Sequence, residues 1–364
     1  MTASSPPDSG AATPNPPISW SDPERARAFA QWLAAVGPRH QLNPATVRPA
    51  SADASFRRYF RVDTNGPAGT RIIMDAPPAR EDSTPFVRVA RLMREAGLVV
   101  PQVLEWDEAQ GFLLLDDLGH RTMLEVIDPM DPPAARPLYD QAIDALVRWQ
   151  LASKPAVLPA YDRALLEREL ALFPDWYVAR HRGLRVEGPL ADRLQRSFQV
   201  IVENNLAAPS VYVHRDFMPR NLMITGGPAL GVLDFQDAVY GPITYDIASL
   251  MRDAFLSWDE EVVIDATVRY WEKARKAGLP VDEDFGAFYR AVEWMGLQRH
   301  LKVAGIFARL TLRDGKPRYL ADAPRFITYI RATAGRYREL APLLRAIDEI
   351  EGTEPVTGFA YGRV

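Results

Sequence analysis

The chain has 364 residues and none of them is cysteine. This absence excludes a disulfide framework, a catalytic thiol and a thiolate metal site. No apolar run reaches the roughly 18 consecutive residues that a membrane-spanning helix needs. The first residues lack the basic and apolar segments of a secretory signal, and their Pro, Ser and Thr content predicts a disordered leader at 1–20. These absences favour a cytoplasmic enzyme without a membrane partner.

Strong charge of either sign is also missing. The formal net charge is −4, from 43 basic and 47 acidic residues. Nucleic-acid-binding domains usually carry a marked basic excess, so this balance argues against such a partner. What is present is an ordinary globular composition, 47% hydrophobic and 25% charged. The length is sufficient for one bilobal unit or two domains.

The periodicity of the apolar residues changes near residue 118. Before it, the pattern predicts helices at 22–36 and 85–96, capped by Asp22 and Thr84, and strands at 56–62, 71–75, 103–106 and 112–115. After it, helical patterns dominate at 137–152, 162–180, 189–206, 245–256, 259–277, 284–311 and 322–347, with one β-rich stretch at 211–233. We therefore predict an α+β, bilobal fold: a small β-rich N-lobe at 21–117, a large helical C-lobe at 118–348 and a tail at 349–364.

The stretch from His214 to Asp234 carries the chemistry. It contains His-x-Asp, then Asn221 five residues after Asp216, then Asp234 at the end of an apolar strand. Phosphoryl transfer needs one carboxylate to orient the attacking hydroxyl, and an amide and a second carboxylate to hold Mg²⁺ against the phosphates. Any one of these residues alone is typical of a turn. All of them in this order predict a kinase site, with Asp216 catalytic and Asn221 and Asp234 binding Mg²⁺ or Mn²⁺.

The chain resembles the aminoglycoside phosphotransferase-like kinases over about residues 50–350. Besides the catalytic motif, the resemblance includes Leu113–Gly119, which is similar to the hinge of that family, and Tyr245–Ala248, similar to its Asp-Leu-Ala helix start. It implies a protein-kinase-like fold with ATP as the phosphoryl donor, its adenine held at the hinge around Asp116 and Leu118.

The same resemblance assigns supporting roles. His214 is expected to brace the catalytic loop rather than take part in the chemistry. Asp246 is expected to fix the backbone of that loop, although an acid in the first turn of a helix is also favourable by itself.

Three longer runs make the resemblance specific to one branch of the family: Met74–Pro78, His214–Met223 and Val232–Leu250. They are similar to a bacterial branch of the family that phosphorylates the anomeric (C1) hydroxyl of N-acetylmuramate and N-acetylglucosamine during peptidoglycan recycling. The resemblance implies a small amino sugar as substrate, and we expect a monomer.

One feature departs from the family. Met74 stands where we would place the lysine that contacts the nucleotide phosphates, and the helix at 85–96 has no glutamate near its middle to pair with it. Our hypothesis is that Arg57 or Arg58 supplies the missing positive charge to ATP. The alternative is a solvated pair of arginines on an exposed strand edge.

Candidate substrate residues are less sharply defined. Basic residues outnumber acidic ones over 290–318, so Arg299 and His300 suit an anionic group such as the lactyl carboxylate of N-acetylmuramate. The alternative is a solvated basic face. Trp176 could stack on a sugar ring or belong to the core, and Asp237 could bind a sugar hydroxyl or cap a turn.

Two other functions remain open. One is a kinase of a different hydroxyl substrate, such as an amino alcohol, homoserine or an aminoglycoside. The other is a nucleotide-binding pseudokinase, which the missing lysine favours and the complete set of Asp216, Asn221 and Asp234 opposes.

Overall fold

The computed structural model describes residues 18–52 and 56–353. The predicted leader lies outside these ranges up to residue 17, and the predicted tail from residue 354 onward. The described chain divides into two compact units. The sheet unit comprises the described chain up to Ala90 together with Pro101–Leu118, and the helical unit comprises Arg91–Val100 and the described chain from Gly119 onward.

The sheet unit is built on an antiparallel sheet. Its strands are Arg48–Ala52 (β1), Arg58–Asp63 (β2), Thr70–Asp75 (β3), Val103–Asp107 (β4) and Phe112–Asp116 (β5). They lie in the order β1-β2-β3-β5-β4. Strand β1 was not predicted, because Arg-Pro-Ala-Ser-Ala has no apolar alternation; as an edge strand, β1 tolerates its proline.

Helix α1, Pro23–Val36, covers one face of the sheet. Asp22 caps it as predicted, since its carboxylate accepts the N–H of Glu24 at 2.9 Å. The helix buries Phe29, Trp32 and Leu33 against apolar side chains of the sheet such as Phe60 and Phe112. This aromatic cluster is the core of the unit.

Helix α2 spans Thr84–Glu95. The prediction that Thr84 caps it was wrong, because Thr84 is already its first residue. Instead, the Asp82 carboxylate accepts the N–H of Thr84 at 2.9 Å. Gly97 follows the helix with a φ of +77°, a conformation that glycine adopts without strain.

The helical unit alternates helices with two small two-stranded sheets. Its helices are Met123–Val126 (α3), Pro132–Leu151 (α4), Arg163–Leu170 (α5), Gly188–Ala207 (α6), Thr244–Met251 (α7), Glu260–Lys276 (α8), Phe285–Leu312 (α9), Ala323–Arg336 (α10) and Ala341–Glu351 (α11). Its strands are Ser210–Val213 (β6), Leu222–Met223 (β7), Gly231–Val232 (β8) and Val239–Pro242 (β9). The antiparallel pairs are β6 with β9 and β7 with β8.

Two predicted helices are interrupted. The helix expected over 162–180 continues beyond α5 as a π-helical segment, Phe173–His181, and Pro174 at its start cannot donate the N–H that an α-helix requires. The helix expected over 322–347 breaks at Tyr337, whose backbone is extended, and resumes as α11 with Pro342 in its first turn.

Helix α9 runs through the helical unit. Its apolar side chains, such as Trp294, Leu297 and Leu301, are buried. The alternative of a solvated basic face on the same helix does not hold at Arg299 and Lys302, which are 4% and 8% exposed. Helices α7 and α10 and the π-helical segment surround α9, so little of it faces water. No helix in the described part of the chain combines the length and apolarity that crossing a membrane requires.

Candidate active site

The three residues predicted to carry out phosphoryl transfer lie together. The side-chain amide of Asn221 donates to the main-chain oxygen of Asp216 at 2.9 Å and to the Asp234 carboxylate at 3.3 Å. The antiparallel pairing of β7 with β8 explains this arrangement, because Asn221 precedes β7 and Asp234 follows β8. The two residues therefore meet at the same end of the ladder, where the N–H of Leu233 also donates to the Asn221 carbonyl at 2.9 Å.

His214 links the two halves of this site. Its Nδ1 accepts the N–H of Asp216 at 3.2 Å, and its Nε2 donates to the carbonyl of Leu233 at 3.0 Å. The ring is completely buried, and burial lowers the pKa of His214 to about 4. A neutral ring with the proton on Nε2 therefore joins the loop that carries Asp216 to the strand that precedes Asp234.

Asp246 lies in the first turn of α7 and is fully buried. Its carboxylate accepts the N–H of His214 at 2.7 Å and that of Arg215 at 3.0 Å. Burial raises the pKa of Asp246 to about 7, although both N–H donors favour the ionised form. The carboxylate thus satisfies two backbone donors immediately before Asp216.

A buried ionic cluster borders the loop, and its acidic member, Glu169, was not predicted from the sequence. Glu169 of α5 accepts hydrogen bonds from Arg215 at 2.6 Å and from Lys302 at 2.9 Å. Burial opposes ionisation of Glu169, but the two cations outweigh it and lower its pKa to about 2. The sequence does contain a signal for a buried acid here, because Glu169 lies three residues after Leu166 and next to Leu170, on the apolar side of its helix.

The donors at the site fit a hard divalent cation. The Asn221 amide and the Asp234 carboxylate offer oxygen ligands, and Gln236 orients the carboxylate by donating to Oδ1 at 2.8 Å. Within residues 18–52 and 56–353, no group of three or more His, Cys, Asp and Glu side chains is arranged to hold a metal. Such a cation would therefore take its remaining ligands from water and phosphate, as Mg²⁺ usually does.

The residues predicted to contact the nucleotide belong to the sheet unit. Arg57 is 9% exposed and pairs with Glu81 at 3.2 Å. Arg58 binds Asp75 through Nε at 2.9 Å and lies 4.0 Å above the Trp20 ring. The alternative of a solvated arginine pair was therefore wrong, since each guanidinium has a carboxylate partner.

The predicted hinge is also in the sheet unit, as is Met74, which stands where the lysine of the family was expected. Met74 is fully buried in β3, paired with Tyr59 on one side and Leu113 on the other. Asp116 ends β5, and its carboxylate accepts the N–H of Gln102. Leu118 follows two residues later and is half-buried.

The candidate substrate residues differ in their exposure. Trp176 is half-buried in the π-helical segment, with the guanidinium of Arg180 at 3.8 Å from its ring. Asp237 is exposed, three residues after Asp234. Each therefore presents some surface to solvent.

Arg299 and His300, by contrast, are buried and bound to protein groups. Arg299 donates to the Arg215 carbonyl at 2.6 Å. His300 donates to the Arg252 carbonyl at 3.3 Å and stacks on Tyr329. An accessible anion-binding face at these two residues is contradicted by their burial.

Comparison with protein families gives a match. The model of a family described as "Phosphotransferase enzyme family" matches residues 46–285 of the chain. Among curated proteins, the chain is 50% identical to an N-acetylmuramate/N-acetylglucosamine kinase from Pseudomonas aeruginosa, over 89% of this chain and 96% of that protein. It is 47% identical to a protein of the same name from Neisseria meningitidis, over 93% of this chain and 100% of that one.

Solved structures support the fold. A choline/ethanolamine kinase family protein from Mesorhizobium loti is similar with a TM-score of 0.58 at 16% identity, over 89% of this chain and 99% of that one. The ADP-bound aminoglycoside phosphotransferase APH(2'')-Ib is similar with a TM-score of 0.54 at 15% identity, over 82% and 97%. The predicted α+β, kinase-like fold is confirmed by these similarities and by the β-rich and helical units described above.

Proposed function

The chain belongs to the phosphotransferase enzyme family, and we propose that it phosphorylates the anomeric hydroxyl of N-acetylmuramate and N-acetylglucosamine with ATP. The products are the α-1-phosphate of the sugar and ADP. The observation that carries the proposal is the hydrogen-bonded grouping of Asp216, Asn221 and Asp234. The identity of about half the residues to relatives that bear the names of these two sugars supports the substrate.

In the proposed reaction, Asp216 orients the C1 hydroxyl of the sugar for in-line attack on the γ-phosphorus. The new bond joins the C1 oxygen to phosphorus, the bond from phosphorus to the β–γ bridging oxygen breaks, and the hydroxyl proton passes to Asp216. Because the transition state of phosphoryl transfer is loose, Asp216 contributes more by position than by basicity. Asn221 and Asp234 would hold Mg²⁺, which offsets the charge of the phosphates when bound.

The nucleotide would contact the sheet unit at two places. We propose that main-chain groups of Asp116–Leu118 bind adenine, since the Asp116 carboxylate is engaged by Gln102. We also propose that Arg57 contacts the phosphates. Its pairing with Glu81 at 3.2 Å resembles the lysine–glutamate pair of protein kinases, in which the acid orients the cation. Arg58 is then left to stabilise buried Asp75.

The sugar would contact side chains that are accessible to solvent. The half-exposed ring of Trp176 offers a surface for a pyranose ring, and the Asp237 carboxylate offers an acceptor for a sugar hydroxyl. We further propose that the enzyme acts as a monomer in the cytoplasm, where ATP is supplied.

An ADP-release assay tests the proposal. N-acetylmuramate, N-acetylglucosamine and kanamycin are supplied in parallel, each with ATP and with or without Mg²⁺. We expect Mg²⁺-dependent ADP release with both sugars and none with kanamycin. Release with kanamycin alone would indicate an aminoglycoside kinase, and nucleotide binding without release in any arm would indicate a pseudokinase.

A further inference from the structure

Glu169 has no role in the proposed chemistry, yet it is among the most heavily hydrogen-bonded side chains near the site. It is 4% exposed and accepts from Arg215 and Lys302, from Gln298 at 3.1 Å and from the Tyr161 hydroxyl. One carboxylate therefore faces two cations and two neutral donors. Neutralising the acid would need only one of these cations, so the second calls for a separate explanation.

Arg215 is the second cation, and its backbone is unusual. Its φ is +78°, in the left-handed region that residues with a Cβ rarely adopt. Such a conformation costs on the order of 1 kcal/mol and persists only where the surroundings hold it. In this structure, hydrogen bonds hold the peptide groups on both sides of Arg215, because Asp246 accepts the Arg215 N–H and Arg299 donates to the Arg215 carbonyl.

The Arg215 side chain also connects two parts of the site. One guanidinium nitrogen donates to Glu169 at 2.6 Å, and another donates to the main-chain oxygen of Asp237 at 3.4 Å. Arg215 immediately precedes Asp216, and Asp237 follows Asp234 by three residues. A single planar side chain thus links the segment with the proposed catalytic acid to the segment with the proposed metal ligand.

We propose that Glu169 is a positioning residue that acts through Arg215 to hold Asp216 against Asp234. This inference rests on the proposed function. It adds to the groups that would touch the substrate a residue, Glu169, that would set the distance between them. Glu169 fixes the guanidinium, the guanidinium ties the two segments together, and the left-handed turn at Arg215 directs Asp216. Lys302, which also contacts the Tyr245 hydroxyl at 3.2 Å, balances the remaining charge.

The test compares Glu169→Gln with Glu167→Gln. Glu167 lies on the same helix, is 55% exposed and pairs only with Arg163 at the surface among the partners the structure gives it, so it is a matched control. We expect Glu169→Gln to lower kcat for N-acetylmuramate roughly 10²-fold with the KM for ATP unchanged, because misplacing a catalytic group by about 1 Å has that effect. Glu167→Gln should leave both parameters at the wild-type values.

A second variant keeps the proposal testable if Glu169→Gln does not fold. Arg215→Lys keeps a positive charge beside Glu169 but lacks the planar fork that reaches two acceptors, so it should also lower kcat with little change in the melting temperature. Because both residues act through one link, the double variant should lower kcat no further than the more damaging of the two single variants does. Additive losses in the double variant, or wild-type kcat in Glu169→Gln, would overturn the proposal.

Hydrogen exchange separates this inference from the proposed function. In Glu169→Gln, the amides of residues 214–217 should exchange faster than in Glu167→Gln, whether or not the sugar is the substrate. Faster exchange together with no wild-type turnover of N-acetylmuramate would count against the proposed function alone. Unchanged exchange in this segment would count against the positioning role alone.

Discussion

Each unit of the molecule buries one carboxylate between two cations, and the two clusters differ in what the cations are attached to. In the sheet unit, Asp75 is inaccessible to solvent and binds Arg25 and Arg58, each with Nε at 2.9 Å. Both guanidinium groups also lie over aromatic rings, those of Phe112 and Trp20. Arg25 belongs to α1 and Arg58 to β2, so the Asp75 cluster fastens a helix and a strand to the sheet.

In the helical unit, Glu169 binds Lys302 of α9 and Arg215 of the catalytic loop. The electrostatic arrangement is the same, but Arg215 is next to Asp216. We therefore expect damage to the Asp75 cluster to appear mainly as lost stability, and damage to the Glu169 cluster to appear also as lost turnover. The role of a buried ion pair therefore depends on which backbone segment carries the cation.

The largest effect should come from the group that the Glu169 cluster positions. Asp216→Asn should lower kcat by roughly 10²–10⁴, since the amide cannot accept the hydroxyl proton. Nucleotide affinity should change little, because Asp216 is not a proposed metal ligand. Steady-state kinetics and ADP binding by calorimetry measure the two quantities, and near-normal turnover would refute the assignment of Asp216.

The next effect tests the Asp75 cluster itself. Asp75→Asn removes the buried anion that two partly exposed guanidinium groups share, so it should lower the free energy of unfolding by about 1.5–3 kcal/mol, the contribution of hydrogen bonds to a charged group. The kcat of the protein that remains folded should match wild type. Urea denaturation provides the measurement.

The control for that measurement is Asp63→Asn. Asp63 is 44% exposed and pairs with Arg48, and a surface pair of this kind contributes about 0–1 kcal/mol. If the two variants lost equal stability, the burial argument for Asp75 would fail. If Asp75→Asn lowered kcat as strongly as Glu169→Gln, the contrast between the clusters would fail.

A smaller effect is expected for the phosphate contact. Arg57→Ala should raise the KM for ATP about 10-fold, since a hydrogen bond to a charged group contributes about 1.5–3 kcal/mol. The KM for the sugar should stay within twofold of wild type. Arg91→Ala, at an arginine that is 75% exposed in α2, serves as the control. An unchanged KM for ATP in Arg57→Ala would remove Arg57 from the nucleotide site.

The smallest effect concerns a buried histidine outside both clusters. Burial, with help from Arg252 and Arg299, lowers the pKa of His300 to about 3, against about 6.5 in the unfolded chain. The unfolded state therefore binds the proton first, and stability that is complete above about pH 6.5 is lost as the pH falls toward 3. His300 should account for a loss of about 1 kcal/mol at pH 5.5.

Unfolding free energies between pH 7.5 and 5.5 check this prediction. His300→Gln, whose amide can still donate to the Arg252 carbonyl, should show a shallower loss than wild type. His120→Gln, at an exposed histidine, should keep the wild-type slope. Equal slopes in all three proteins would contradict a neutral His300.

The sequence predicted features whose determinants are close together in the chain. Asn221 and Asp234 are close in the sequence, and the apolar strand predicted to end at Asp234 already indicated that they meet; in the structure one short hairpin separates them. Asp22 as a cap is equally local. The Glu169–Arg215 pair spans 46 residues, and no local pattern states which loop a buried glutamate will reach.

Errors arose where tertiary packing overrides a local pattern. A run of basic residues in α9 was compatible with an anion-binding face or a solvated face, yet the helix is surrounded, and Arg299 and Lys302 bind protein groups inside. The alternative of a solvated pair at Arg57 and Arg58 likewise did not anticipate that Glu81 and Asp75, from other segments, bind them. In each case a carboxylate or carbonyl that is distant in the sequence compensates the charge. The spacing of polar and apolar residues along the chain does not identify such a partner.

The central claim is that Asp216 directs the anomeric hydroxyl of an amino sugar at ATP. The most direct measurement follows N-acetylmuramate, ATP and Mg²⁺ by phosphorus and carbon NMR with the wild-type enzyme and with Asp216→Asn. We predict one phosphate bonded to C1 for each ADP formed by the wild type, and the same product hundreds of times more slowly in the variant. Phosphate on any other hydroxyl, or equal rates in the two proteins, would contradict this account.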